Sequence, residues 1–232
     1  VALFETGLRF LSTKPDGQLP TVGGVRMGSV QPRHWAGGAR PVDAFDAKSD
    51  ALAALEAFGA PVDNLMTDTR AIPEWFHPGR SGTSGLGKNM LAVFGELHPK
   101  VLRTLGIKGR MVGFELFLDK VPPKKGKKGT AKPLLKPSPF QPVKRDFAFV
   151  VDADVSAEKL VKAVKGADKA LISNVALFDV YIGENVPDGK KSLAVDVTLQ
   201  PTERTLTDED LEGVSEKIVS LVAKNLGGEL RG

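Results

Sequence analysis

The chain has 232 residues, is 41% apolar, carries a formal charge of +4 and contains no cysteine. That length and composition suit one large or two small domains with ordinary cores. The missing thiols exclude disulfides, thiolate metal sites and cysteine nucleophiles, and predict a reducing, cytoplasmic home.

No apolar run approaches the roughly 20 residues needed to span a bilayer. The first residues, Val1 to Phe10, lack both Met and a signal pattern, so they read as the interior of a longer protein. The charge is uneven: net +2 over 1–118, net +6 over 119–138 and net −4 over 139–232. The basic character therefore belongs to one short segment. It supports a basic tether beside a slightly acidic domain, not a nucleic-acid surface throughout.

In chain order, Ala2 to Leu11 is strand-like and Gly23 to Val30 is a short, Gly-broken strand. Ser49 is expected to cap a helix running to Phe58. Ala51, Leu52, Leu55 and Phe58 would share its apolar face, and Gly59 would stop it. Met90 to Gly95 reads as a buried strand and Pro99 to Leu105 as a short helix ended by Gly106. Val112, Phe114, Leu116 and Leu118 alternate, which predicts a strand over 111–118. A Pro, Gly and Lys-rich stretch from Pro122 to Ser138 then reads as a linker, including the Lys124 to Lys128 run.

The remainder is patterned more clearly. Asp146 to Val151 is a strand. Ser156 caps a helix with Leu160, Val161 and Val164 inward. Leu171 to Ile182 is a second strand, and Leu193, Val195, Val197 and Leu199 mark a third. Thr207 with Asp210 resembles a capping box for a helix burying Leu211, Val214, Ile218, Leu221 and Val222. Gly227 and Gly228 end it, and Glu229 to Arg231 is a short fourth strand. The order is βαββαβ, a ferredoxin-like split unit with helices on one sheet face. The fold class is thus α+β, with domains expected at 1–121 and 139–232 around the linker 122–138.

Few motifs carry chemistry. Gly82 to Asn89 nearly spells a phosphate-binding loop, but Asn89 replaces the metal-binding hydroxyl and a strand-like run follows, so a flexible hairpin loop is expected. His34, His77 and His98 lack metal-ligand spacing. No nucleophile and base are paired, so no catalytic residue is expected. Strand 3 offers no aromatic ladder, which excludes the stacking mode of RNA-recognition motifs. Phe178 and Tyr181 alternate to opposite faces of strand 2; Phe178 is either core or available. Lys144, Arg145, Lys190, Lys191 and Arg204 are candidate phosphate or base contacts, and equally a solvated rim, or ion pairs such as Arg204 with a carboxylate.

Lys144-Arg145-Asp146, Phe178-Asp179-Val180-Tyr181, Lys190-Lys191-Ser192-Leu193 and Arg204-Thr205-Leu206-Thr207 occur in this order. Upstream lie Leu3 to Gly7, His34 to Gly38, Asp43 to Lys48, His77 to Arg80, Gly95 to Pro99 and Phe114 to Leu116. In this combination the chain resembles the C-terminal part of the bacterial phenylalanyl-tRNA synthetase beta subunit family. The resemblance implies the end of a non-catalytic, class II synthetase-like antiparallel sheet domain, then a ferredoxin-fold anticodon-binding domain. It implies tRNA(Phe) and an alpha subunit as partners in an alpha2beta2 heterotetramer, and neither membrane nor DNA. ATP and Mg2+ serve the whole enzyme, whose alpha subunit charges the tRNA; no cofactor or metal is expected in this chain. The tRNA-binding candidates are Lys144, Arg145, Phe178, Tyr181, Lys190, Lys191 and Arg204. Competing readings on the same fold are a regulatory small-molecule module and a small phosphohydrolase. The loop from Asp152 to Ser156 offers carboxylates where either would need an anion site.

Overall fold

A computed structural model describes residues 1–123, 134 and 137–231. The Lys124 to Lys128 run expected as linker lies outside the described residues. The chain forms two compact units, Val1–Gly129 and Thr130–Gly232.

The first unit is a six-stranded antiparallel sheet with one long helix on it. Its strands are β1 (Ala2–Phe10), β2 (Gln18–Met27), β3 (Met66–Asp68), β4 (Phe76–Leu86), β5 (Asn89–Leu97) and β6 (Met111–Phe117). Their order is β1-β2-β6-β5-β4-β3. Helix α1 (Ala44–Phe58) covers β5 and β6, burying Ala47, Ala51 and Leu55 against Leu91, Val112 and Leu116. The short helix α2 (Pro99–Thr104) follows β5.

Helix α1 starts at Ala44, six residues before the start expected from a cap at Ser49. Its N-cap is Asp43, whose carboxylate accepts from the Phe45 and Asp46 amides, while Asp46 accepts from the Asp43 amide at 2.8 Å. This reciprocal box satisfies donors that no earlier turn can reach. Arg40 binds both Asp46 oxygens, at 2.7 and 2.8 Å, and holds that carboxyl below the usual carboxylate range. Ser49 is an exposed interior residue, and Phe58 is 55% exposed rather than on the buried face. Gly59, at φ 100°, does end the helix.

Strand β2 begins at Gln18, ahead of the expected start at Gly23. The stretch Gly82 to Asn89 is mostly strand, not loop, and is buried from Gly82 to Gly85. β4 runs to Leu86, and only Gly87 and Lys88 turn the hairpin before β5. Gly87, at φ 58°, supplies the left-handed turn. Gly82 packs against the Phe94 ring, where a Cβ would sit 2.9 Å from the nearest ring atom. With no helix after it, the segment has no phosphate cradle.

The second unit is a four-stranded antiparallel sheet of β7 (Val143–Asp152), β8 (Ile172–Tyr181), β9 (Lys190–Leu199) and β10 (Glu229–Leu230). Their order is β10-β7-β9-β8. Helices α3 (Ala157–Lys165) and α4 (Asp208–Leu226) pack on one face. Alternation explains the core: Phe147, Phe149 and Val151 of β7 meet Leu193, Val195 and Val197 of β9, and Leu160, Val164, Val214 and Ile218 close over them. Each fully buried side chain of this size contributes about 1.5–3 kcal/mol. Ser156 caps α3, Thr207 and Asp210 form the capping box of α4, and Gly227 at φ 60° ends it.

Candidate nucleic-acid interface

The sheet face of the second unit away from α3 and α4 is defined by register. Rows of directly opposed residues are Lys144, Thr198 and Asn174; Asp146, Asp196 and Ala176; Ala148, Ala194 and Asp179; Val150, Ser192 and Tyr181. Glu229 on β10 opposes Val150. All lie on the face opposite Phe147, Phe149 and Leu193.

Among the described residues this face carries no helix, yet its centre is not open. Ser192 is 3% and Ala194 8% exposed. The reason is a contact across the whole sheet. Arg231, beyond edge strand β10, places its guanidinium 5.3 Å from the ring centroid of Tyr181, on the opposite edge strand β8. The Arg231 amide donates to the Ala148 carbonyl at 2.8 Å, continuing the β10 pairing, so its side chain starts beside β7 and has β7 and β9 to span before it reaches Tyr181. The Tyr181 hydroxyl donates to the Glu184 carbonyl at 3.2 Å. Gly183 lets that loop close on the ring, since a Cβ there would lie 2.8 Å from the hydroxyl. A ring fixed at its far end, with its face against a guanidinium, is a preformed stacking platform.

The seven candidate residues divide by position. Tyr181, Lys144 and Lys190 belong to this face; Lys144 lies 3.7 Å from Asp196, and Lys190 lies 3.9 Å from Asp152. Phe178 sits in a β-bulge between Leu177 and Asp179, which interrupts the simple alternation from 178 to 181; it is 59% exposed. Arg145 lines a groove on the helix side with Asp208, Glu212 and Glu216. The Lys191 ammonium donates to the Ala153 carbonyl at 2.8 Å. Arg204 binds both Asp210 oxygens, at 2.7 and 2.8 Å, joining the α4 capping box. Together with the Thr207 bonds, it pulls the Asp210 carboxyl down to about 2.

The face is acidic. Asp146, Asp152, Asp179, Asp196 and Glu229 outnumber Lys144, Lys190 and Arg231. Such a surface cannot hold RNA by bulk attraction. It offers stacking surfaces plus carboxylates, which accept from base N–H groups. Arg231 escaped the sequence reading, and Asp179 and Ser192 entered it only as parts of motifs, not as contacts. Only the strand register could have grouped Asp179 and Ser192 with Tyr181, and the Arg231 contact has no local signal.

Among the described residues, no group of three or more His, Cys, Asp or Glu could hold a metal ion. His34 is exposed, and its Nδ1 accepts from Ala36; the stacked His77 and His98 accept from Gly79 and Lys100. No helix among the described residues is long and apolar enough to cross a membrane.

Two family models match this architecture. Residues 1–118 match the phenylalanyl tRNA synthetase beta chain CLM domain, and residues 138–231 match the ferredoxin-fold anticodon binding domain. The chain belongs to the phenylalanyl-tRNA synthetase beta chain family. It is 53% identical over 231 residues to the phenylalanine–tRNA ligase beta subunit of Rhodospirillum rubrum, covering 100% of this chain and 29% of that protein. The Brucella abortus beta subunit is 53% identical over 237 residues, and that of Bradyrhizobium diazoefficiens 49% over 236, with the same coverage of each. The chain thus spans 29% of the length of these relatives.

Proposed function

We propose that this chain is the tRNA-binding, non-catalytic portion of a phenylalanine–tRNA ligase beta subunit, and that it positions the anticodon of tRNA(Phe). The observation that carries this reading is the Tyr181–Arg231 contact above Ser192 and Ala194. An anticodon base stacks on Tyr181, and the exposed Asp179 reads its edge through hydrogen bonds. Phe178 supplies a second ring at the sheet edge. Lys144 and Lys190 flank the face and contact phosphates. Arg145, Lys191 and Arg204 lie outside it, engaged at its periphery.

The chemistry belongs elsewhere. In this reading an alpha subunit, in an alpha2beta2 enzyme of the cytoplasm, uses ATP and Mg2+ to charge the tRNA. The exposed Leu3, Phe4, Leu8 and Phe10 of edge strand β1 are a surface for the rest of that assembly.

The test is binding of the whole chain to the anticodon stem-loop of tRNA(Phe), compared with the same stem-loop made abasic at the anticodon. Stacking of one or two bases predicts that the abasic loop binds at least about fivefold more weakly. Equal affinity for both loops would overturn the reading.

A further inference from the structure

A second charged feature belongs to the first unit. A cleft of about 510 Å³ opens beside α2, lined by Arg80, Arg103, Lys108 and Arg110 around one carboxylate, Glu96. No other acidic residue lines it. Glu96 is only 7% exposed, so its charge needs compensation from within the protein.

It receives more than compensation requires. The Arg80 Nη1 donates to Oε2 at 3.0 Å, and the Arg110 Nε lies 3.1 Å from Oε1. One guanidinium would neutralise the carboxylate; the second leaves a surplus. Each arginine spends one nitrogen on Glu96, and their side chains remain 53% and 47% exposed. Their other N–H groups are therefore free to face an incoming anion. Because both share one buried partner, the two guanidiniums are anchored at the cleft before any ligand arrives, which lowers the entropy cost of binding.

Arg103 and Lys108, both exposed, add two further cations. Gly106 at φ 69° and Gly109 at φ 101° fold the loop that carries Lys108 and Arg110 around the cleft. Four cations around one carboxylate repel one another unless an anion joins them. The surplus suits a multiply charged group with several acceptor oxygens, which guanidinium forks bind bidentately.

We infer that this cleft is a phosphate-binding site, formed by the Arg80–Glu96–Arg110 cluster with Arg103 and Lys108. It does not depend on the anticodon reading. The phosphate comes either from an RNA backbone or from a free phosphate compound.

The experiment is a nuclear magnetic resonance titration of the whole 232-residue chain. It follows the Nε–H signals of Arg80 and Arg110 and the amides of Lys108 to Arg110. One arm adds inorganic phosphate; the other adds a short, loop-free RNA duplex. A saturable shift of these signals is expected in at least one arm, and it weakens about tenfold or more in the R103A/K108A variant. That variant leaves the Glu96 pairs intact, so its fold is preserved. A shift with the duplex assigns the site to backbone phosphate; a shift with inorganic phosphate alone assigns it to a free compound. No saturable shift in either arm, or a shift that R103A/K108A leaves unchanged, overturns the inference.

Discussion

Replacing Tyr181 separates the stacking reading from every charge-based alternative. The side chain is 37% exposed, and its hydroxyl makes one surface hydrogen bond of 3.2 Å. Its remaining partner is the Arg231 guanidinium at 5.3 Å. An exposed cation–π contact is worth about 0.5–1 kcal/mol. Tyr181→Ala should therefore lower folding stability by only about 1 kcal/mol. Loss of a base stack costs more, about 1–3 kcal/mol, or roughly 5- to 150-fold in Kd. Tyr181→Phe keeps the ring and should bind within about twofold of the parent protein, because the hydroxyl faces Glu184. The assay is fluorescence anisotropy with a labelled anticodon stem-loop at fixed salt, with thermal unfolding as the control. If Tyr181→Ala binds as tightly as the parent, stacking is not the mode. If Tyr181→Phe loses as much as Tyr181→Ala, the ring is not what the RNA uses.

Three further outcomes are expected. Lys190→Ala should weaken RNA binding and make the slope of log K against log salt shallower by about 0.7, the contribution of one single-strand phosphate contact; an unchanged slope in a salt titration removes Lys190 from the interface. Asp210, held at about 2 in the fold, lies below its unfolded value near ~3.9, so its contribution is present above pH ~4 and lost as pH falls through about 2. Melting curves from pH 5 to pH 2 should show that loss in the parent and less of it in Asp210→Asn. Gly95→Ala should unfold the first unit at lower urea than the parent, since φ is 146° and a Cβ would meet the Ser81 backbone at 2.4 Å; an unchanged midpoint contradicts that geometry.

The sequence exposed some of this more readily than the rest, for physical reasons. Strand β9 and helices α3 and α4 were legible because Leu193, Val195, Val197 and Leu160, Val164, Ile218 repeat at strand and helix periods against one core. The start of α1 was not, because Asp43 and Asp46 are polar and the first turn buries Ala47, which gives little apolar signal. β4 was hidden because Ser81, Gly82, Thr83, Ser84 and Gly85 have turn-like composition. They are buried as strand because Phe94 and the Asn89 backbone occupy the space where side chains would be. At the candidate interface, Tyr181 and Lys190 could be named from local pattern. The bulge at Phe178 could not, nor could the approach of Arg231 to a ring fifty residues earlier on the far edge strand.

The fate of the basic residues bears on how this domain selects an RNA. Arg204 is committed to Asp210, Lys191 to a carbonyl, Lys144 to the neighbourhood of Asp196 and Lys190 to that of Asp152. Exposed pairs of this kind contribute little stability, about 0–1 kcal/mol, but they do reduce the free positive charge offered to phosphate. The sheet face that remains repels a polyanion at a distance and rewards it only at contact, through stacking and base-edge hydrogen bonds. A non-cognate loop would meet the same repulsion without the compensating contacts. Net acidity at the face therefore favours discrimination over affinity, and the bulk of the attraction must come from elsewhere on the protein. The surplus of cations around Glu96 in the first unit is one place on this chain where it could be supplied.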